Sequence, residues 1–90
     1  MNSYELRVRA FEENDINREC KFMPDHENFQ LHLDALIEDI SSLKQIAKAE
    51  NHGSYITIET QTELHECLAI MNPVFSSYIC KIRYVSLTKA

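Results

Sequence analysis

Two segments at opposite ends of the chain, Tyr4–Phe11 and Tyr78–Leu87, alternate in character with a period of two. In the first, Tyr4, Leu6, Val8 and Ala10 fall on one side and Arg7 and Arg9 on the other. In the second, Tyr78, Cys80, Ile82 and Tyr84 share a side, with Lys81 and Arg83 opposite. Successive side chains of a strand point to opposite faces, so each segment is expected to be a half-buried strand with a basic outer face. Four of the nine Lys and Arg residues would then share one surface of a chain whose formal net charge is −5.

Ninety residues predict a single domain, 1–90, and 44% hydrophobic content predicts a packed globule. With one glycine, Gly53, and two prolines, Pro24 and Pro73, there is no material for a Gly-rich phosphate-binding loop. No apolar run approaches the roughly 20 residues that span a bilayer, and no charged-then-apolar leader opens the chain. A cytoplasmic protein is expected. Cys20, Cys67 and Cys80 are odd in number, widely spaced and without a C-x-x-C, and each stands where a small hydrophobe would serve. They are expected to be core thiols.

Between the end strands, Glu12-Glu13-Asn14-Asp15 suits a turn, and Asn17–Met23 is expected to return as a second strand with Cys20 and Phe22 inward. Asn28–Leu33 satisfies two periods. Phe29, Leu31 and Leu33 alternate as in a strand, whereas Phe29, Leu33, Leu36, Ile37 and Ile40 keep helical spacing, with Asp25 available as a cap. A helix from 26 to 51 would be about 38 Å long, so the strand is preferred, with Asp34 capping the next helix. From Ala35 the stripe Leu36, Ile37, Ile40, Leu43 and Ala47 predicts a helix ending at Asn51-His52-Gly53, the glycine serving as a left-handed cap.

Ser54–Glu59 then reads as a strand burying Ile56 and Ile58. Thr60-Gln61-Thr62-Glu63 fits a capping box, and Leu64, Cys67, Leu68 and Met71 predict a second helix stopped at Asn72-Pro73. The expected order is β-β-(β)-α-β-α-β. It implies an α+β, two-layer open-faced sandwich: a four- to five-stranded, mostly antiparallel sheet with two helices on one face, ferredoxin-like or related. The first and last strands are expected to be neighbours near its centre.

If those strands are neighbours, Arg7, Arg9, Lys81 and Arg83 cluster on the open face with Tyr55 nearby. The outer side of the last strand also carries Ile79, Val85 and Leu87. Arginine mixed with apolar anchors suits a protein partner, including a second copy of the chain. The expected contact set is Arg7, Arg9, Tyr55, Ile79, Lys81, Arg83 and Val85. The same face could take single-stranded RNA, but it is poor in stacking aromatics, and the net charge opposes nonspecific polyanion binding. Arg and Lys stems covering a solvated sheet and pairing with Glu5, Glu19 and Glu59 would be the plainest outcome.

Asp25, Glu27, Asp34, Glu38 and Asp39 make a second, acidic surface, suited to solubility or to a basic partner. In composition the chain is similar to small phage or plasmid proteins that inhibit host factors. No metal or cofactor is expected: His65 and Cys67 lie about 200° apart on a helix, and His26, His32 and His52 follow no zinc spacing. There is no nucleophile elbow, P-loop or H-E-x-x-H, and Glu12-Glu13 and Glu38-Asp39 lack an apolar pocket to tune one of them. The expected function is a small non-enzymatic protein-binding or regulatory domain, as a homodimer or an inhibitor of a partner, with nucleic-acid binding as the alternative.

Overall fold

The computed structural model describes residues 1–21 and 24–90. Strand β1 (Asn2–Ala10) leads through a 3-10 turn (Glu13–Asp15) to helix α1 (Phe29–Ser41) and then the hairpin β2 (Ile46–Asn51) and β3 (Ile56–Thr60). Helix α2 (Leu64–Ser77) and strand β4 (Ile82–Lys89) complete the chain. The four strands form one antiparallel sheet in the order β2-β3-β1-β4. The end strands are neighbours as expected, but β4 is an edge and β1 and β3 are central.

One core joins sheet and helices. Tyr4 and Leu6 of β1, Ile56 and Ile58 of β3, Leu33, Leu36 and Ile40 of α1, and Cys67 and Met71 of α2 belong to a single buried cluster. Both helices therefore cover the same face, and the side carrying the odd-numbered residues of β1 stays open.

The element order differs from expectation at three places, each for a local reason. Asn28–Leu33 does not form a strand: α1 begins at Phe29. The Asp25 carboxylate accepts both contacts of the Asn28 amide at 3.0 Å and lies 3.3 Å from His32 Nε2, pinning the helix entrance. Asp34 sits inside the helix, its carboxylate accepting from Gln30 one turn earlier at 3.1 Å. The helix then ends early, at Ser41-Ser42, where the Ser42 hydroxyl donates to the Glu38 carbonyl and competes for the backbone.

Residues 46–51 are thus strand rather than helix, and Gly53 turns a hairpin instead of capping a helix. Its φ of +94° is the left-handed region that glycine enters freely. The Gly53 amide donates to Asn51 Oδ1 at 2.8 Å and the His52 amide to the Tyr55 carbonyl at 2.9 Å.

Asn17–Lys21 forms no strand; a local turn is closed by Asn17 Oδ1, which accepts from the Glu19 and Cys20 amides. Cys20 is inward as expected, while Phe22 and Met23 lie outside the described residues. Thr60 is the buried last residue of β3, not a helix cap. Its hydroxyl donates to the Gln45 carbonyl at 2.5 Å, and α2 starts at Leu64 without a side-chain cap.

Pro73 does not stop α2, which runs to Ser77. Pro73 and Ala69, whose carbonyl loses its partner there, are both exposed, so water can satisfy that oxygen. The apolar stripe resumes beyond the proline with Val74, Phe75 and Tyr78 packed on the core.

Two β-bulges break the alternation. One lies in β2 between Ile46 and Lys48, so Ile46 and Ala49 both reach the core. The other leaves Val85 without a partner, since Arg7 pairs with Ser86 and Val8 with Tyr84. A single extra residue reverses the parity of every later residue in its strand. Leu87, expected outside, is consequently buried alongside Ile82.

The core-thiol expectation holds for Cys67 and is corrected for Cys20 and Cys80. Cys67 is a buried free thiol, whose ionisation burial opposes. Cys20 and Cys80, by contrast, are joined by a disulfide across 60 residues. No helix among the described residues is long and apolar enough to cross a membrane.

Candidate functional site: the β1–β4 side of the open face

Register builds the open face column by column. Lys48 and Glu50 of β2 pair with Glu59 and Thr57 of β3, Glu5 of β1 with Thr57 and Thr88, and Arg7 with Ser86. Arg9 stands opposite Arg83. The face is mixed in charge. Arg7 Nη1 donates to Glu5 at 2.9 Å, and Lys48 pairs with Glu50 at 3.0 Å.

Arg9 donates through both terminal nitrogens to Asp15, at 2.6 and 2.8 Å, a bidentate fork. Arg83 Nε lies 3.8 Å from the same carboxylate. The Arg9 hydrogen bonds, together with one from the Glu12 amide, hold the Asp15 carboxyl well below the usual carboxylate range.

Tyr55 stands in the hairpin turn just before β3. Its ring stacks on His52 with centroids 5.0 Å apart, and the Arg7 guanidinium lies 5.5 Å from the Tyr55 centroid. His52, Tyr55 and Arg7 thus form a short stack at one end of the sheet. The contact is a cation–π arrangement that also orders the arginine.

The α2–β4 turn holds the remainder of the expected set. Ile79 and Lys81 precede β4 and so are not on the sheet face. The Lys81 amide donates to the Tyr78 carbonyl at 2.8 Å and its carbonyl accepts from Phe11 at 3.2 Å, fastening the turn to the end of β1. Tyr78, expected in the strand, ends α2, and its hydroxyl donates to Asp39 of α1 at 2.6 Å. That bond pushes the Tyr78 hydroxyl up to about 12.

Apolar surface concentrates along this margin. Ile79, Tyr84 and Val85 are exposed at 37, 41 and 51%. Tyr84 turns toward the helix side and meets Phe75 of α2, ring centroids 5.5 Å apart. A groove of about 290 Å³ runs between them, lined also by Ile82, Arg83 and Ser76. The arrangement offers an edge strand, an aromatic pair and an arginine in one place, which suits recognition of a polypeptide.

Neither Asp15 nor the Phe75–Tyr84 pair follows from periodicity. Asp15 reaches the sheet from a turn, and the aromatic pair exists because α2 continues past Pro73. Other candidate groups are dispersed. His65 is exposed and Cys67 buried, and His26 Nε2 lies 3.0 Å from the Phe11 carbonyl. Among the described residues no three His, Cys, Asp or Glu side chains are grouped as metal ligands. No protein-family model, curated protein or solved structure matches the chain.

Proposed function

We propose that this chain is a small non-enzymatic protein-binding domain that acts through the β4 margin of its sheet, with a second copy of itself as the first partner to test. The observation that carries the reading is the edge position of β4 combined with exposed Ile79, Tyr84 and Val85 beside Arg83. An edge strand presents unpaired backbone donors and acceptors, and natural sheets usually shield such edges. Here the edge is flanked by apolar side chains, and strand addition with aromatic and arginine anchors is a recurrent mode of peptide capture.

The pairing of Arg7, Arg9 and Lys48 with Glu5, Asp15 and Glu50 favours this reading over nucleic-acid binding. A phosphate backbone is best met by cations without internal partners. The strand connectivity, two split β-α-β units each straddling one strand of the other, supports a ferredoxin-like assignment. A regulatory role, as inhibitor of another protein, belongs to the same proposal.

Light scattering behind size exclusion, at low and high salt, tests it. A dimer that survives high salt is expected, since an apolar edge is little screened. A monomer at every concentration and salt would reject self-association, and dissociation by salt alone would point back to the charged face.

A further inference from the structure

We infer that the strand added at β4 is an acidic extended segment of another protein. It is held by its backbone along Ile82–Tyr84, by an apolar side chain in the Phe75–Tyr84 groove, and by carboxylates on Arg83 and Lys81. The inference rests on the reading of β4 as a contact edge and names what occupies it. Charge is segregated along the chain: no Asp or Glu follows Glu66, whereas Lys81, Arg83 and Lys89 do. The groove and the whole of β4 therefore belong to an acid-free stretch of a protein whose formal net charge is −5. The opposite edge is different, since Lys48 of β2 is neutralised by Glu50 at 3.0 Å.

Register fixes how such a segment lies. Val85 has no partner on β1, so the regular part of the edge beside the groove is Ile82–Tyr84. Ile82 and Tyr84 turn toward the helices, where Tyr84 meets Phe75 and the groove of about 290 Å³ opens beside Ile79. Arg83 turns to the open face. A strand paired here alternates in the same way, one side chain into the groove and its neighbours toward Arg83. An acid–apolar–acid sequence satisfies both sides.

The cations at this end have capacity to spare. Asp15 accepts from Arg9 through both carboxylate oxygens, which leaves Arg83 one contact with it at 3.8 Å. Arg83 Nη1 makes only a long bond, 3.4 Å, to the Ile79 carbonyl. Lys81 is exposed, and the Cys20–Cys80 bond, with Cα atoms 5.3 Å apart, brings exposed Arg18 and Lys21 to the same end of β4; Glu19 is the one acid between them. Among the described residues Arg18, Lys21 and Lys81 have no ion-pair partner. A second β4 is the weaker occupant, because it adds three more cations to an edge that already carries Lys81, Arg83 and Lys89. RNA finds no stacking platform beside Arg83, since the Tyr84 ring packs on the helix side against Phe75.

NMR titration of the full chain tests this with a capped peptide that alternates Glu with Phe and Val. The same peptide with Gln for Glu, the same with Ser for Phe and Val, and oligouridylate serve as comparison probes. The Glu peptide should shift the Ile82–Tyr84 amides, the Arg83 Nε–H and the Phe75 ring, and should bind about fivefold or more tighter than either altered peptide. Arg83→Gln and Lys81→Gln should each weaken it by up to about fivefold while the β2 and β3 signals stay in place. Salt should weaken the peptide complex and leave a β4 dimer intact. Equal binding of the Gln or Ser peptide, or shifts centred on Arg7 and Lys48, would overturn the acidic occupant. Oligouridylate acting at Arg83 in place of the peptide would overturn it in favour of nucleic acid. Concentration-dependent protection of β4 with no peptide binding would overturn this inference and leave the contact edge standing; absence of both would overturn both.

Discussion

Arg9 and Arg83 face each other across the β1–β4 ladder, and Asp15, from a 3-10 turn outside the sheet, is the carboxylate that both approach. Its folded-state ionisation is depressed, chiefly by the Arg9 hydrogen bonds. The pair's stabilisation is therefore fully present above the unfolded Asp value of about 3.9 and is lost as pH falls from there toward the lower folded value. Asp15→Asn should melt below the wild type at neutral pH, most clearly in low salt, and the gap should close in acid. Thermal melts across a range from about pH 2 to about pH 7 check this; a gap independent of pH would contradict it.

Gly53 adopts φ +94° with nothing within 4 Å of where a Cβ would stand. The barrier to substitution is conformational and not steric. Gly53→Ala should cost about 1 kcal/mol, and D-alanine at the same position should cost almost nothing. Denaturant titration of the two proteins separates these outcomes.

Tyr78 donates to Asp39 at 2.6 Å, joining the end of α2 to α1, and its hydroxyl is pushed up to about 12. A raised folded value favours the protonated form, so the bond's contribution is complete below the unfolded value near 10 and disappears as pH rises toward 12. The absorbance titration of the wild type minus that of Tyr78→Phe should show a transition at about 12. In Asp39→Asn it should return toward the ordinary tyrosine value of about 10.

How much of this is legible in the sequence depends on which force sets each feature. β1, β3 and the α2 stripe Leu64, Cys67, Leu68 and Met71 follow directly from periodicity, because one buried face fixes each of them. The start of α1 is ambiguous because Phe29 and Leu33 satisfy both periods; in the fold Leu33, Leu36 and Ile40 are buried and Leu31 is exposed, which is the helical pattern and not the alternating one. Gly53 supplies positive φ equally well to a helix cap and to a hairpin turn. Leu87 reads onto the wrong face because a bulge at Val85 leaves no mark in an alternating pattern. In the candidate site, Arg7, Arg9 and Arg83 are readable from strand parity. Asp15, Tyr84 and the disulfide are not, since each depends on long-range placement.

The central claim is that the β4 margin is a contact surface, and its most direct measurement is residue-resolved hydrogen exchange at micromolar and millimolar protein. Amides along Tyr84–Leu87 should gain protection with concentration, those of the β2 edge should not, and Val85→Asp should abolish the gain. Protection that is independent of concentration, or that grows along β2 instead, would contradict the account.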